Sequence, residues 1–491
     1  MYSLFKFDKI KINKYSCYAI LFIFSAVFCY FFSIETSGRY HDFYECDSQT
    51  FEVIGKAWSL GKIPYISYWD SKGPVIFFVN MLGFLIFKNV KGVLVLEIIS
   101  FFVTLFFIFK TLNLKYNNFV CLISTCVFSL FFTCTNWWYG NTVSEWCLPF
   151  LSVSAFLIYK YFLSNKKEHP AFYSFFYGIT FGICAMSRLT NAIIICFFIT
   201  EIIFILLKNK KIKNLLLNFL FGFLGIACII MPFSVYFSLK GAFNEMIYAT
   251  FIYNFKYCIS SAKSFSLFYF MCNLLIFYLL FVSFLQLKNN KKLLFIILPV
   301  FCSLIFFIFS RCYPHYFLIF LPFSFLLLSE ICEFKTNNIL NFVLLIFIAA
   351  TLSFTFFKFY GECINNRTEY VKIHDNLFEQ VPEEYKDKTL EVDTIFNGLY
   401  TRNDFLPDNK YFDFQTNYAI LSEKTKEDIL KDFALNEPKY IIIENAEHSV
   451  YKEYIEKNYI LIDEILYEQS QGLVKIPDEE KTRIIALYKK K

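Results

Sequence analysis

The stretch from residue 35 to residue 72 carries Asp42, Glu45, Asp47, Glu52 and Asp70 between two apolar runs. Carboxylates placed there sit close to a membrane surface. Such a group can take the proton from a hydroxyl that attacks an electrophilic carbon, which is what glycosyl transfer to a hydroxyl requires. Asp47 is the best placed of them. It stands at the start of a helix expected over residues 48–60, where Phe51, Ile54 and Trp58 recur at helical spacing. Asp47 or Ser48 can cap that helix, and Gly61 with Pro64 ends it. Capping alone explains an Asp at this position, and capping is compatible with a chemical role. The apolar stripe leads us to expect a helix lying on the membrane surface.

The arginines are informative because they are rare, six against forty-one lysines. Arg188 and Arg311 stand at the ends of apolar runs, at the depth of a lipid phosphate. Arg grips phosphate through a planar fork, whereas Lys offers a point charge. Arg311 leads into Cys312-Tyr313-Pro314-His315-Tyr316, which adds a titratable donor and two phenols. Span anchoring by snorkelling is the competing explanation for both arginines. Glu97 and Glu201 fall inside apolar runs, where carboxylates are costly and are candidates for function. Glu201 lies two turns from Lys208, so local pairing is the expectation there. Glu145 follows Asn141-Thr142 at the start of a run and could bind a cation, bind an acceptor or cap a helix. Trp137, Trp138 and Trp146 read as an interfacial belt.

These residues must be positioned by membrane helices. Of 491 residues, 57% are hydrophobic and 22% aromatic, an apolar content above that of soluble chains. Apolar runs fall at 17–34, 74–87, 92–109, 118–134, 146–163, 171–187, 189–207, 214–239, 265–287, 293–309, 314–332 and 338–357. Most have the length of about 17–25 residues that crosses a bilayer core. The first is too long for the apolar segment of a signal peptide. No internal repeat is visible, which counts against an inverted-repeat transporter.

Lysines cluster at 6–14, 160–167, 208–213 and 288–292, which places those segments in the cytoplasm. Asn136 to Glu145, Arg188, residues 240–264, Arg311 and the C-terminal region then face outside. Parity requires one run not to cross. Residues 74–87 are the shortest run and follow Lys72-Gly73-Pro74. Runs of about 10–14 residues are more often re-entrant or interfacial.

The expected fold is therefore an all-α polytopic membrane protein, with about eleven full crossings plus one short re-entrant or interfacial helix. Residues 1–359 form the membrane domain, with an external loop at 35–73. Residues 360–491 form an external α/β domain, in which β-like runs at 440–443, 459–462 and 484–488 alternate with helical stretches at 423–433 and 450–457.

The net charge of +6 gives no reason to expect nucleic acid. Most of the sixteen cysteines, such as Cys29, Cys121 and Cys184, lie in apolar runs and act as small hydrophobes. No metal-ligand spacing or nucleotide-binding motif is present.

Asp47-Ser48-Gln49-Thr50-Phe51, then Gly61-Lys62-Ile63-Pro64-Tyr65, then Asp70-Ser71-Lys72-Gly73-Pro74 resembles the first external loop of GT-C glycosyltransferases. The relevant branch holds protein O-mannosyltransferases and aminoarabinose transferases of lipid A. Its members show an acid, an aromatic four positions on, a helix-ending Gly and a Lys-Pro before the next helix. Two departures stand out: Ser48 follows Asp47 where the family often has a second acid, and Ser71 separates Asp70 from Lys72.

The resemblance implies a transferase taking a sugar from a polyprenyl-phosphate carrier at the outer face of the plasma membrane. Asp47 would be the catalytic carboxylate, and Lys72 would bind donor phosphate with Arg311, His315 and Arg188. Glu145, Asp70 and Tyr313 would serve the acceptor or a cation. The 311–316 stretch resembles an Arg-x-x-x-His-Tyr pattern of bacterial members. The expected partners are the lipid-linked sugar, the bilayer and a glycan, lipid or protein acceptor. The sequence assigns no cofactor, and a divalent cation is compatible with these roles. A polysaccharide polymerase or ligase, or a lipid-linked glycan flippase, is the alternative. The absence of Arg from 240–264 counts against a polymerase.

Overall fold

The computed structural model describes residues 11–39, 46–260, 273–287, 290–308, 313–331, 368–394, 397–468 and 482–491, with 350, 353–354 and 361. Seven helices among them are long and apolar enough to cross a membrane: Lys14–Phe32, Lys91–Leu112, Glu145–Ser164, Leu189–Lys208, Ile212–Leu239, Lys291–Ile308 and Pro314–Ile331. Four shorter apolar helices accompany them, at Pro74–Phe87, Asn118–Cys134, Ala171–Ala185 and Leu274–Gln286. The runs read from hydropathy thus recur as helices within a few residues. Residues 265–272 and most of the 338–357 run lie outside the described residues. Pro74–Phe87 has 14 residues. At 1.5 Å per residue it is about 21 Å long, shorter than a hydrocarbon core of about 30 Å. Pro74 opens it at a position where its missing N–H costs nothing.

The chain folds as two compact units, each discontinuous in sequence. The first comprises Met1–Ser33, Leu94–Tyr236 and Ser261–Phe356. Its helices meet through small residues. A Cβ on Gly178 would lie 2.0 Å from the Gly222 carbonyl oxygen, and one on Gly225 would lie 2.0 Å from that of Phe175. Ala171–Ala185 and Ile212–Leu239 therefore touch backbone to backbone, as small-residue crossings in membranes do. Lys115 and Glu330 pair at 2.7 Å, and the Tyr159 hydroxyl donates to the same carboxylate at 2.6 Å. Glu201 makes no ion pair with Lys208, contrary to expectation. Among the described residues, the cysteines of the apolar runs, including Cys29, Cys121 and Cys184, are free thiols.

The second unit comprises Ile34–Val93, Phe237–Ser260 and Phe357–Lys491. It contains a four-stranded sheet of β1 (Thr389–Val392), β2 (Tyr440–Glu444), β3 (Tyr459–Glu468) and β4 (Thr482–Lys490), in the order β1-β2-β4-β3. β1 and β2 run parallel, and the other pairs are antiparallel. Helix Glu423–Leu435 lies in the β1–β2 crossover, with Ile429 and Phe433 turned inward. Tyr370, Leu377, Leu399, Ile442 and Leu487 fill the core. The α/β expectation for the C-terminal region holds, with one strand added. β1 is only four residues, Thr389-Leu390-Glu391-Val392, at the lower limit of length at which alternation marks a strand.

The loop helix needs two corrections. It runs Cys46–Ser59, so Asp47 lies in its first turn and does not cap it. Nor is its apolar stripe open to lipid, since every residue from Ser48 to Trp58 is buried within the protein. Two partners cover it. Gly55 packs on Pro74–Phe87 so closely that a Cβ would lie 2.4 Å from that of Asn80. On the polar face, Gln49 Oε1 accepts from the Asn397 backbone N–H at 3.0 Å, and Lys56 pairs with Asp404 at 2.7 Å.

Candidate active site

The second unit brings together Asp47, Asp70 and Lys72. Asp70 is 2% exposed, and its Oδ1 lies 3.7 Å from Lys72 Nζ and accepts from Ser71 at 3.3 Å. Burial raises the Asp70 carboxyl above its ordinary range. Lys72 opposes that shift, and the negative charge of Asp47 adds to it.

The 70–72 backbone is itself held. The Tyr65 hydroxyl donates to the Lys72 carbonyl at 2.9 Å, and the Asn254 amide donates to that of Ser71. Trp69 is wedged among Tyr253, Tyr411 and Tyr418, and its backbone N–H donates to the Lys410 carbonyl at 3.1 Å. The Lys72 ammonium also sits 5.9 Å from the centre of the Phe51 ring. The spacing Asp47, Phe51, Asp70, Lys72 thus converges in space.

A third carboxylate was not read from the sequence. Asp413 is buried, and its Oδ2 accepts from the Thr50 hydroxyl at 2.6 Å. Burial holds it well above the usual carboxylate range; Asp70 and Asp47 add to that, while Thr50 and Lys72 oppose it. Asp413 lies 363 residues from Thr50, and no local pattern announces such a pairing. Its sole signal is an acid set among aromatics, Tyr411-Phe412-Asp413-Phe414.

The first unit assembles other expected residues. The guanidinium of Arg188 stacks 3.4 Å from the centre of the Tyr316 ring. Its Nη2 donates to Ser144 Oγ at 2.7 Å and to Asn191 Oδ1 at 2.8 Å. His315 packs edge-on against Tyr316 at 4.7 Å and parallel to Tyr313 at 5.9 Å. This is a preorganised arginine, with its fork fixed by hydrogen bonds and a ring face. Arg311, Asp42 and Glu45 lie outside the described residues.

Glu145 opens a 3-10 turn before helix Leu148–Ser164 and is wholly buried beside Glu97. Glu97 accepts from the Asn141 N–H at 2.7 Å. That bond closes a loop in which Trp138, Tyr139, Gly140 and Asn141 all have positive φ. A Cβ on Gly140 would lie 2.7 Å from Glu97 Oε1, so Gly is required there. The other three residues carry the steric cost of the left-handed region, which Glu97 helps to hold. Among the described residues, no group of three or more His, Cys, Asp or Glu side chains is placed to hold a metal ion.

Two solved structures of ArnT from Cupriavidus metallidurans resemble this chain. The one bound to undecaprenyl phosphate gives a TM-score of 0.56 at 11% identity, covering 96% of this chain and 98% of ArnT. The apo form gives 0.57 at 12%, covering 97% and 98%. The apo Archaeoglobus fulgidus oligosaccharyltransferase gives 0.52 at 12%, covering 94% of this chain and 75% of that one. The likeness to these proteins is one of fold, in keeping with what the resemblance of the first loop implies. No curated protein matches in sequence. A family model described as "Putative competence-induced protein Ccs4 N-terminal domain" matches residues 7–341. With that match spanning more than half of its length, the chain belongs to the Ccs4 N-terminal domain family.

Proposed function

We propose that this protein is a membrane glycosyltransferase that moves a sugar from a polyprenyl-phosphate donor to an acceptor on the outer face of the plasma membrane. The observation that carries the reading is the convergence of Asp47 with the buried Asp70–Lys72 pair, in a fold shared with ArnT. The ArnT structure bound to undecaprenyl phosphate indicates the donor class.

Asp47 takes the proton from an acceptor hydroxyl or amine, whose heteroatom attacks the anomeric carbon. The bond from that carbon to phosphate breaks, and the leaving oxygen gathers charge beside the Lys72 ammonium. A single displacement inverts the anomeric centre. Arg188 with His315 is a second anion-binding candidate, on the strength of its own stacked and hydrogen-bonded geometry. Arg311 belongs to the same proposal, as do Glu145 and Tyr313 for acceptor or cation. The proposed topology has a cytoplasmic N-terminus, eleven full crossings, a short helix at Pro74–Phe87 and an external C-terminal domain.

The test is sugar transfer in cells carrying the wild type or Lys72→Met, labelled with radioactive sugar. The polyprenyl-phosphate-sugar pool and external glycans would both be followed. The variant should lose about 10²–10³-fold of glycan labelling, the scale of one transition-state charge contact, while the donor pool rises. Labelling equal to wild type would overturn the reading and favour a transport role.

A further inference from the structure

Asp413 takes no part in the proposed transfer step. Its Oδ2 has a partner in Thr50, whereas Oδ1 is buried with no hydrogen-bond partner. An unsatisfied buried carboxyl oxygen is costly, and it marks a place where something else belongs. The groups facing Asp413 are Asp70 and Lys72 from the loop and Asp47 from helix Cys46–Ser59. Tyr400 and Tyr418 face it from its own region of the chain. Taken together these are three carboxyls around one ammonium. A phosphate arriving at Lys72 with all three ionised would be repelled more than attracted.

Asp413 also belongs to a clamp. Asn397 Nδ2 donates to Thr50 Oγ1 at 2.9 Å, and that hydroxyl in turn donates to Asp413. The Tyr68 hydroxyl is held by the Pro407 carbonyl at 2.7 Å. Residues 397–418 thus grip the segment from Gln49 to Trp69 at several points.

We propose that Asp413 is a positioning residue for Asp47, fixing its helix through Thr50, and that with Asp70 it sets the charge that an incoming lipid phosphate meets at Lys72. The region after residue 390 is then a working part of the donor site. The charge half of this proposal rests on the polyprenyl-phosphate reading, and the anchoring half does not.

The sign of the pH dependence follows from the geometry. Asp70 and Asp413 already hold their protons above the ordinary carboxylate range. An adjacent phosphate strengthens that hold, so binding takes up a proton and weakens as pH rises.

The experiment uses the full-length protein in detergent, as wild type, Asp413→Asn and Asp413→Ala. Hydrogen exchange is read over residues 46–72, and undecaprenyl phosphate binding is titrated at about pH 6 and about pH 8. Asn keeps an acceptor for Thr50, so its exchange should stay within about threefold of wild type, whereas Ala should raise it by about tenfold or more. Asp413→Asn should bind undecaprenyl phosphate about tenfold tighter than wild type near the upper pH, and only slightly tighter near the lower. Comparing variant with wild type cancels the titration of the lipid phosphate itself.

Unchanged exchange in Asp413→Ala overturns the anchoring role. If that variant does not fold, Asp413→Asn decides: a pH profile parallel to wild type overturns the charge role. If wild type binds no undecaprenyl phosphate at either pH, the donor reading fails, and the exchange arm alone judges the anchor.

Discussion

Asp47→Asn is expected to lower sugar transfer by about 10²–10⁴-fold, the range a positioned general base contributes. The substitution keeps the shape of the side chain and removes its ability to accept the acceptor's proton. Stability should barely change. Asp47 is partly exposed, and no described residue donates a hydrogen bond to it. What is lost is the favourable placement of an acid in the first turn of helix Cys46–Ser59, worth about 0.3–1 kcal/mol. Against that, Asp70 and Asp413 are relieved of a neighbouring negative charge. Initial rates of labelled-sugar transfer at matched protein levels, with melting curves in detergent, separate the two effects. Transfer at the wild-type rate would show that Asp47 is not the base.

Gly225→Leu should have the opposite signature, a loss of fold with no direct chemical lesion. The Cβ of any side chain at 225 would lie 2.0 Å from the Phe175 carbonyl oxygen and 2.9 Å from the Ile179 nitrogen. Both are backbone atoms in a helix and cannot step aside, so the helices must separate. Overpacking of this kind costs about 3 kcal/mol or more. It would also pull on the polar knot at the same crossing, where His169 Nδ1 meets Asn218 Oδ1 at 2.7 Å. Gly222→Ala is the internal control. A Cβ there meets its nearest neighbour, the Ser174 carbonyl oxygen, at 3.7 Å, an ordinary contact. Thermal melting should drop sharply for the first variant and stay near wild type for the second. Equal melting of the two would contradict the backbone-to-backbone crossing.

The membrane helices could be read from sequence because length and apolarity are local properties, and the bilayer imposes both. Asp47, Phe51, Asp70 and Lys72 could be read as a group because a single loop carries them. What could not be read depends on contacts across hundreds of residues. The polar face of helix Cys46–Ser59, with Gln49, Thr50 and Lys56, looks like a wetted surface until Asn397, Asp413 and Asp404 are seen against it. An amphipathic pattern reports two kinds of face; it does not say whether water or protein covers the polar one. Glu97 could be singled out as an intramembrane carboxylate, yet its partners include the backbone of a left-handed loop that no composition predicts. β1 is only four residues long, and its polar Thr389 and Glu391 are buried by parts of the chain that a local pattern does not show.

The bond between Thr50 and Asp413 spans 363 residues, and this sets a timetable for the newborn chain. At a synthesis rate of about 5–20 residues per second, Asp413 leaves the ribosome roughly 20–70 s after Thr50. Through that interval the nascent protein already carries its candidate base and the lysine beside it, yet neither has its final setting. On the proposed function, a half-made copy would therefore be unable to spend lipid-linked sugar while it waits, and competence would come late, when residues 397–418 close over the helix that was made first.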